Sequence, residues 1–346
     1  MRQLARLGVG LGAVLTAAAL GTPAHAQQLS ELFRKVSPSV VLVRTIGRSV
    51  APERTGLTTI PGLGSGVLIS AEGKIMTAAH VVQTADKVGV QFQDGKIYPA
   101  HVVASSVRAD VALLQLDQFP MALAPAKLGN SDSLSVGDQI IVIGAPYGLG
   151  HSLTVGHVSG RIAGGGMVSG GPMEMIQTDA AINMGNSGGP MFNMNGEVVG
   201  IVSRILTQSG GFEGLGFAIP SRVAERVLLN AKSFWSGIDF VLLQDTMAQV
   251  FNVPQPAGLL VQQVATGSPG ALLGIRAGSV RAKIGEGEVL VGGDIVLDVA
   301  GISITPNGGS FEQIQTYLSG LKAGDSLKVN VLRGGKVVRL AAVRPR

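Results

Sequence analysis

Cysteine is missing from the 346-residue chain, which excludes disulfide bonds and cysteine-ligated metal sites. Stability must come from buried apolar area instead, and a chain of this length can supply that area in two domains. Concentrated positive charge is missing as well, because lysine and arginine are scattered singly along the sequence. This scatter gives no indication of a nucleic-acid-binding surface.

Long apolar runs are missing except at the N-terminus. There, two arginines in MRQLAR precede the apolar run LGVGLGAVLTAAALG and the small-residue signal Ala24-His25-Ala26. An apolar run of roughly 15 residues is short for a bilayer span and typical of a secretory signal peptide. We expect residues 1–26 to direct export to a bacterial periplasm, with cleavage after Ala26 and no stable membrane span afterwards. The alternative is an uncleaved leader that anchors the chain in the membrane.

Glycine, by contrast, is abundant: fifty glycines lie among short runs rich in valine and isoleucine, which indicates a mainly β protein with tight turns. The predicted strands are residues 39–45, 65–70, 87–92, 96–103, 112–116, 139–144, 197–202 and 216–220. Gln93-Asp94-Gly95 predicts a hairpin between two of them. The regular spacing favours closed antiparallel barrels, although periodicity alone leaves a β-sandwich open.

The pattern changes after the last of these strands. Ser221 is predicted to cap a short helix whose apolar residues share one face, and this helix ends the first unit. The rest of the chain mixes strands with two helices, which predicts a small α+β module. We therefore expect domains at 27–232 and 233–346, with residues 281–291 forming an inserted loop or hairpin tip.

Residues 181–193, AINMGNSGGPMFN, place a single hydroxyl, that of Ser187, among glycine, asparagine and proline. Such residues are typical of a surface turn. They also suit a nucleophile, because glycines let the chain fold back and leave backbone N–H groups free to hold an oxyanion. The second interpretation requires a base and an orienting carboxylate elsewhere in the chain.

His80 and Asp110 are the base and the carboxylate that fit this requirement. His80 directly follows a strand of buried character, and the two alanines before it leave room for the ring. Asp110 opens the apolar strand DVALLQL, where a carboxylate at the edge of a core needs a partner such as an imidazolium. The order His80, Asp110, Ser187, with each residue at a strand edge, points to a catalytic triad.

Four segments carry a resemblance to the HtrA (Do-like) family of trypsin-like serine proteases: TAAHVV, RADVALL, TDAAINMGNSGGPMFN and GLGFAIPS. The C-terminal unit is similar to the PDZ domain that follows the protease in that family. The resemblance implies a mainly β protein, with a chymotrypsin-like pair of six-stranded β-barrels followed by a small α+β PDZ domain. The active site would lie in the cleft between the barrels.

The resemblance implies a role for each residue of the triad. Ser187 would be the nucleophile, His80 the general base and Asp110 the carboxylate that orients the imidazole. Backbone N–H groups of Gly185 and Ser187 would form the oxyanion hole, with Asn186 as a third donor. This mechanism calls for no metal and no organic cofactor.

The segment 197–205 resembles the strand that lines the primary specificity pocket in trypsin-like folds, and a second segment would face it. The residues predicted to line the pocket are Ala181, Ser203, Arg204, Ile205, Gly216, Phe217 and Ala218. Ala181 stands where this fold can carry an acid that binds arginine or lysine. Because no acid is present there, we expect cleavage after small or medium aliphatic residues.

The resemblance also assigns peptide recognition to the C-terminal unit. A PDZ domain binds the C-terminus of an extended peptide by strand addition and captures its carboxylate on backbone N–H groups. The residues predicted for this site are Trp235, Ser236, Gly237, Ile238, Ile314 and Leu318. Ser236 departs from the family pattern, which has an aliphatic residue there. The alternative is that Gly237 forms a turn and the apolar residues belong to the core.

Other segments bear on regulation and assembly. The resemblance implies that the glycine-rich segments 163–172 and 205–214 switch the oxyanion hole between inactive and active arrangements, and the alternative is that they are ordinary flexible turns. Met184 departs from the family pattern, which more often has proline or arginine before GNSGG.

The segment 46–62 is shorter than a loop that reaches a neighbouring subunit in some members, which argues against a cage. LSELFRK (29–35) predicts either a trimer contact or a plain amphipathic turn.

We therefore expect an exported serine endopeptidase that degrades unfolded or misfolded proteins, forms a homotrimer and binds C-terminal peptides through its PDZ domain. Two alternatives stay open. One is a regulatory protease that cuts a single partner, and the other is a chaperone or binding protein built on a protease fold. An intact triad favours proteolysis over binding alone.

Overall fold

A computed structural model of the chain describes residues 25–51, 57–118, 123–145, 148, 150–163, 174–284 and 287–344. Residues 1–24 of the predicted leader and residues 164–172 of the first glycine-rich segment lie outside these ranges. No helix within the described residues is long and apolar enough to cross a bilayer.

The described chain begins with helix α1 (His25–Val36), which packs against the body of the protein. The side chains of this helix that lie in or against the buried apolar cluster are Leu29, Leu32, Phe33 and Val36. Lys35 Nζ donates a hydrogen bond to the backbone carbonyl of Asn195, 3.1 Å away. Leu32 and Val36 are buried while Leu29 and Phe33 are only partly buried, so residues 29–35 are amphipathic and the trimer contact stays a prediction.

The first β-barrel has six strands and one short helix. These are β1 (Val40–Val50), β2 (Leu57–Leu68), β3 (Lys74–Thr77), α2 (Ala79–Val82), β4 (Lys87–Gln91), β5 (Ile97–Ser106) and β6 (Val111–Leu116). The strands close in the order β1-β2-β3-β6-β5-β4. Val102 in β5 is buried between exposed His101 and Val103, the alternation expected of a strand with one face on a core. Gly95, with a φ of +80°, lies in the predicted hairpin turn between β4 and β5.

The second β-barrel follows a short strand, β7 (Lys127–Leu128), and a 3₁₀ turn at Ser131–Ser133. Its strands are β8 (Gln139–Gly144), β9 (Ser152–Ala163), β10 (Glu174–Thr178), β11 (Pro190–Asn193), β12 (Glu197–Ile205) and β13 (Gly216–Pro220). They run in the order β11-β8-β9-β10-β13-β12, and β12 pairs with β11 to close the ring. The predicted pair of six-stranded barrels is thereby confirmed.

Apolar packing holds the two barrels together. One buried cluster joins Val67 and Met76 of the first barrel to Phe192 and Ile201 of the second. Each such side chain contributes about 1.5–3 kcal/mol on full burial. This shared core fixes the loops of one barrel relative to the loops of the other.

The helix after the second barrel is α3 (Ser221–Glu225), which continues into a π-helical turn at Arg226–Asn230. The buried residues of its predicted apolar face are Val223, Val227 and Leu228. The capping prediction is wrong, because Pro220 is the N-cap residue. Ser221 is the first helical residue, and its hydroxyl donates to the carbonyl of Gly129 at 2.7 Å.

The C-terminal unit is an antiparallel sheet with helices, in agreement with the predicted α+β composition. Its elements are β14 (Ile238–Gln244), α4 (Asp245–Val250), β15 (Ala257–Val264), α5 (Pro269–Leu272), β16 (Val280–Ile284), β17 (Gly287–Val291), β18 (Ile295–Val299), β19 (Ile302–Ser303), α6 (Phe311–Gly320), β20 (Ser326–Arg333) and β21 (Lys336–Val343). The main sheet has the order β14-β15-β18-β20-β21, with β19 paired to β18.

The predicted insertion at 281–291 is a hairpin, in which β16 and β17 form a separate two-stranded sheet. The amide side chain of Gln262 in β15 ties it to the main sheet. It accepts from the N–H of Leu290 at 2.7 Å and donates to the carbonyl of the same residue at 3.1 Å. Arg281 extends from the hairpin to the carbonyl of Val50 in the first barrel, 2.9 Å away.

Candidate active site

The first barrel supplies two of the predicted catalytic residues. His80 lies in the first turn of α2, whose neighbours Ala78 and Ala79 are buried against the barrel while the histidine side chain stays half exposed. Asp110 ends the turn before β6, where its backbone has the unusual φ of +52°. Residues held in such sparsely populated conformations cluster at functional sites.

Asp110 and His80 are directly hydrogen-bonded. The Nδ1 atom of His80 lies 2.9 Å from Oδ1 and 3.0 Å from Oδ2 of Asp110. The backbone N–H of His80 also donates to Oδ1, 3.1 Å away. These contacts favour the neutral imidazole with its proton on Nδ1, which leaves Nε2 free to accept a proton.

A hydroxyl that sequence analysis assigned to the pocket wall holds the same carboxylate from the other barrel. Ser203 Oγ donates to Asp110 Oδ2 at 2.5 Å, and Ser203 is only 1% exposed. The pairing of β12 with β13 shifts register between Val202 and Arg204, so Ser203 lies in a β-bulge. Bulges redirect side chains, often next to active sites. The side chain of Ser203 is therefore directed at Asp110 and not into the predicted pocket.

Ser187 lies in the turn before β11, packed on the segment that leads to His80. Gly188, with a φ of +84°, is so close to that segment that a Cβ there would lie 2.2 Å from Thr77 Oγ1. The hydroxyl of Ser187 donates to the backbone carbonyl of Ser203 at 3.3 Å. The turn around the serine is thus fixed by close packing, and its hydroxyl is held by the residue that also holds the Asp110 carboxylate.

Ser187 and His80, both within the described residues, share no hydrogen bond in this structure. Ser203 contacts Ser187 through its backbone carbonyl and Asp110 through its hydroxyl, so the predicted residues are joined through this fourth residue. Rotation of the serine side chain away from Ser203 is needed before Oγ can reach Nε2. Catalytic hydrogen bonds commonly tighten only when substrate is bound.

The backbone around the serine presents two of the three predicted oxyanion donors. Gly185 has a φ of +99°, a conformation that favours glycine. Among the residues that the structure describes, the N–H groups of Gly185 and Ser187 have no acceptor. The N–H of Asn186 donates to the carbonyl of Asn183 at 3.0 Å, so the predicted third donor is already used. Ser65, a residue that sequence reasoning missed, fixes the turn by donating to the Gly185 carbonyl at 2.7 Å.

Burial and hydrogen bonding act in opposite directions on the His–Asp pair. For His80, burial lowers the pKa, but the hydrogen bond and negative charge of Asp110 outweigh it and raise the pKa above its ordinary value. For Asp110, burial raises the pKa, but the hydrogen bonds and charge of His80 and the hydroxyl of Ser203 bring the pKa below its ordinary value. The site therefore stabilises the imidazolium that forms when a serine hydroxyl is deprotonated.

The segments predicted to line the pocket are apolar and packed closely together. Ile205 and Gly216 face each other in the pairing of β12 with β13. A Cβ on Gly216 would lie 2.6 Å from Cδ1 of Ile182 and 3.4 Å from the ring of Phe212, two residues that sequence reasoning missed. Ala181 is half-buried beside them. These neighbours of the predicted pocket are apolar, and none of them carries an acid.

Three further residues of the predicted pocket lie elsewhere. Phe217 is 7% exposed and belongs to the cluster between the barrels. Ala218 is fully buried in the core of the second barrel, where it packs with Ile176 and Val202. Arg204 is exposed on β12 and contributes no apolar wall. The error has one physical source, because the strand alternation and the bulge at Ser203 decide which side chains face the pocket.

The residues predicted for peptide recognition divide into two groups. Trp235 and Ser236 contact Gln83 of the first barrel. Trp235 Nε1 donates to the Gln83 carbonyl at 3.1 Å. The side-chain amide of Gln83 donates to Ser236 Oγ at 3.3 Å and to the Ile238 carbonyl at 2.9 Å. Gly237 makes a turn with a φ of +68°. These contacts agree with the alternative of a turn rather than an open carboxylate site.

The apolar members of that set lie together in the C-terminal unit. Ile238, Ile314 and Leu318 are at most 9% exposed and belong to one buried cluster. Among the described strands, β14 pairs only with β15, so its other edge is open. The unit therefore has the edge strand that peptide addition requires, while the predicted apolar residues serve its core.

Two closed six-stranded barrels, with a histidine and an aspartate from one meeting a serine from the other, are the architecture of a trypsin-like serine peptidase. A family model described as "Trypsin-like peptidase domain" matches residues 64–201 of the chain. The chain is 34% identical over 342 residues to a probable periplasmic serine protease, do/HhoA-like, of Haemophilus influenzae, and the match covers 89% of this chain and 69% of that relative. The chain belongs to the HtrA (Do-like) family of serine proteases.

Other relatives are similar over a smaller part of their own length. The chain is 40% identical over 280 residues to a probable periplasmic serine endoprotease, DegP-like, of Pseudomonas putida strain W619, which covers 79% of this chain and 54% of the relative. The chain thus spans about half the length of the Pseudomonas relatives it matches. Its fold is similar to the HtrA-type protease AlgW with decapeptide, with a TM-score of 0.52 and 27% identity over 92% of this chain and 99% of that one. The same protease with tripeptide gives a TM-score of 0.52, 29% identity and coverage of 92% and 97%.

Proposed function

We propose that this chain is a periplasmic serine endopeptidase that cleaves unfolded or misfolded proteins after small or medium aliphatic residues. The observation that carries the proposal is the continuous contact from Asp110 to His80 on one side and through Ser203 to Ser187 on the other. An unpaired buried charge is strongly unfavourable, and the Asp110 carboxylate is paired both to the imidazole of His80 and to a hydroxyl of the second barrel.

The reaction begins with rotation of the Ser187 side chain from the Ser203 carbonyl toward His80. The hydroxyl oxygen attacks the scissile carbonyl carbon while Nε2 of His80 takes the proton. Asp110 stabilises the imidazolium through Nδ1. The N–H groups of Gly185 and Ser187 receive the negative carbonyl oxygen, and loss of one such donor typically lowers the rate about 10²–10³-fold.

The second half of the reaction returns the enzyme to its starting state. The peptide C–N bond breaks, His80 gives its proton to the leaving amine, and the acyl group stays on Ser187. Water then attacks the acyl carbon, with His80 again taking and returning a proton. Atoms and charges balance without a metal or an organic cofactor.

The apolar pocket supports a broad substrate range. Ile182, Ile205 and Phe212 offer packing surface but no charge, and one methylene in such a pocket is worth only about 1–3 kcal/mol. Aliphatic residues are buried in folded proteins and exposed in unfolded ones. An enzyme with this pocket therefore selects substrates mainly by their lack of structure.

The remaining parts of the proposal rest on the family. We propose that residues 27–232 form the protease domain and residues 233–346 a PDZ domain that binds C-terminal peptides. Export through the leader, with cleavage after Ala26, and assembly as a homotrimer belong to the same proposal. Relatives named periplasmic and solved relatives with bound peptides support the location and the peptide substrates.

Degradation of casein by the purified chain tests the proposal. The control is Ser187→Ala, which keeps the fold and removes the attacking oxygen. We expect the natural chain to degrade casein and the variant to leave it intact. Equal loss of casein in both samples, or no loss in either, would overturn the enzymatic function and favour a binding protein on a protease fold.

A regulatory protease is the second candidate, and one contact favours it. Gln83, the residue at the end of α2, binds the segment at 235–238 that was predicted to recognise peptides. A peptide at that segment would therefore act directly on the helix that carries His80. Sequencing of cleavage sites in a denatured extract separates the candidates, because many aliphatic sites indicate general degradation and a single substrate indicates regulation.

A further inference from the structure

Arg204 is an exposed cation beside the candidate active site that the mechanism does not use. It directly follows Ser203, whose side chain contacts Asp110 and whose carbonyl contacts Ser187. The charge of Arg204 acts on His80, whose pKa it lowers. Its guanidinium therefore lies within electrostatic reach of the reacting groups.

Strand β12 has an open edge where Arg204 lies. As far as Val202, the edge away from β13 is occupied, because Gly188 N–H donates to the Val202 carbonyl at 2.7 Å and Val202 N–H donates to the Gly189 carbonyl at 2.9 Å. Among the described residues, positions 204–205 pair only with β13. An extended peptide can add to such an edge through main-chain hydrogen bonds.

Strand alternation decides which substrate residue meets Arg204. Successive side chains point to opposite faces of a strand, so Arg204 lies on the exposed face while Ile205 packs against the buried cluster of the second barrel. A substrate added to this edge places the residue before the scissile bond in the pocket. The second residue on the N-terminal side of the scissile bond then lies on the face of Arg204, and so does the fourth.

No carboxylate of the described residues neutralises Arg204. Asp110 is already engaged by His80 and Ser203. Glu213, in the loop after β12, accepts hydrogen bonds from the backbone of Gln208 and Ser209. The cation is therefore left for a group that the protein does not supply.

We propose that Arg204 is a specificity-determining residue, which favours substrates with Asp or Glu at the second or fourth position on the N-terminal side of the scissile bond. The inference rests on the proposed protease function and adds a charge preference to the aliphatic pocket. Exposed ion pairs are weak, so the preference is several-fold and adjusts an otherwise broad specificity.

Quenched fluorescent peptides test this inference with the full chain. The peptides share one aliphatic cleavage residue. One series varies only the second position on the N-terminal side of the scissile bond and a parallel series varies only the fourth, with Glu, Gln or Lys at the varied position. We expect kcat/KM for the Glu peptide to exceed that for the Lys peptide by about 5–10-fold at low salt, with the ratio falling as salt screens the pair. Arg204→Gln is expected to reduce the ratio to about twofold or less.

Arg226→Gln is the matched control, because Arg226 is an exposed arginine on the π-helical turn after α3 and its substitution changes the net charge equally. This variant is expected to keep the natural ratio. If all peptides are cleaved and Arg204→Gln also keeps the natural Glu-to-Lys ratio of kcat/KM, the inference about Arg204 is overturned and the proposed function stands. If no peptide is cleaved, the proposed function fails. Binding of the same peptides to Ser187→Ala chains, with and without Arg204→Gln, then decides the charge preference, and equal affinities for Glu and Lys peptides would overturn it.

Discussion

Ser203 of the second barrel and Asp110 of the first are joined by a hydrogen bond of 2.5 Å between Oγ and Oδ2. This contact crosses from one barrel to the other and fixes the carboxylate that orients His80. A hydrogen bond to a charged group contributes about 1.5–3 kcal/mol. Ser203 thus acts as a positioning residue for the proposed triad.

Replacing Ser203 by alanine is expected to lower kcat about tenfold and to leave KM nearly unchanged, since the hydroxyl positions Asp110 and touches no substrate. Ser203→Thr keeps a hydroxyl and is expected to retain more activity than the alanine variant. Steady-state kinetics on an aliphatic peptide would measure both. An alanine variant with the kcat of the natural chain would show that His80 alone suffices to orient the carboxylate.

Asp110→Asn is expected to lower kcat by roughly 10⁴-fold, because the amide stabilises neither the required tautomer nor the imidazolium. The chain offers a matched control in Asp117, whose carboxylate pairs with the exposed His101 at 2.5 Å outside the candidate site. Asp117→Asn is expected to keep full activity. Comparable losses in the two variants would mean that His–Asp pairing affects activity only through stability.

The raised pKa of His80 predicts the pH dependence of kcat/KM. The proposed mechanism needs the neutral imidazole, so the acid-side midpoint is expected above the ordinary value of 6.5. In Asp110→Asn the influences that raise the pKa are lost, while burial and Arg204 still lower it. The midpoint of the residual activity should therefore move to lower pH. A midpoint that stays in place would exclude His80 as the group that titrates.

Gly188→Ala is expected to destabilise the chain by about 2–5 kcal/mol and to abolish activity, because the new Cβ would lie 2.2 Å from Thr77 Oγ1 at a φ of +84°. Gly95→Ala is the matched control, since it has a φ of +80° and no heavy atom within 4 Å of the added Cβ. The control should lose about 1 kcal/mol and keep its activity. Chemical denaturation and peptide cleavage measure both effects, and equal losses of stability would contradict the packing argument.

Gln83 links the C-terminal unit to the first barrel through the Ile238 carbonyl and through Trp235. The Ser105 hydroxyl donates to Gln83 Oε1 at 2.8 Å. Gln83→Ala removes the side-chain contacts with the C-terminal unit and also removes this acceptor. Destabilisation by about 1–3 kcal/mol is expected. Calorimetry should then show the C-terminal unit unfolding in a separate transition at lower temperature. A single transition at the original Tm would mean that this contact does not couple the two units.

The segments around His80, Asp110 and Ser187 could be predicted because each role requires a local pattern. Two small residues precede the histidine, an apolar strand follows the aspartate, and glycines surround the serine. The strands were predictable for a similar reason, since short strands separated by glycine turns carry their alternation in the sequence. Periodicity left a β-sandwich open, and the pair of six-stranded barrels was predicted from the family resemblance.

Ser203, Ile182 and Trp235 show what local patterns do not contain. The direction of Ser203 depends on a bulge created by pairing with β13, a strand that begins 13 residues later. Ile182 packs against Gly216 only because that residue has no side chain. Trp235 resembles a recognition residue in sequence, but its partner, Gln83, lies 152 residues away. Each of these roles depends on a contact between distant segments.

The two barrels contribute different halves of the chemistry: His80 and Asp110 come from the first, Ser187 and Ser203 from the second. A folding intermediate with only one barrel formed carries either a base without a nucleophile or a nucleophile without a base. Such an intermediate is inert toward peptide bonds. Under the proposed mechanism, the chain therefore gains proteolytic capacity only after both barrels have folded and docked.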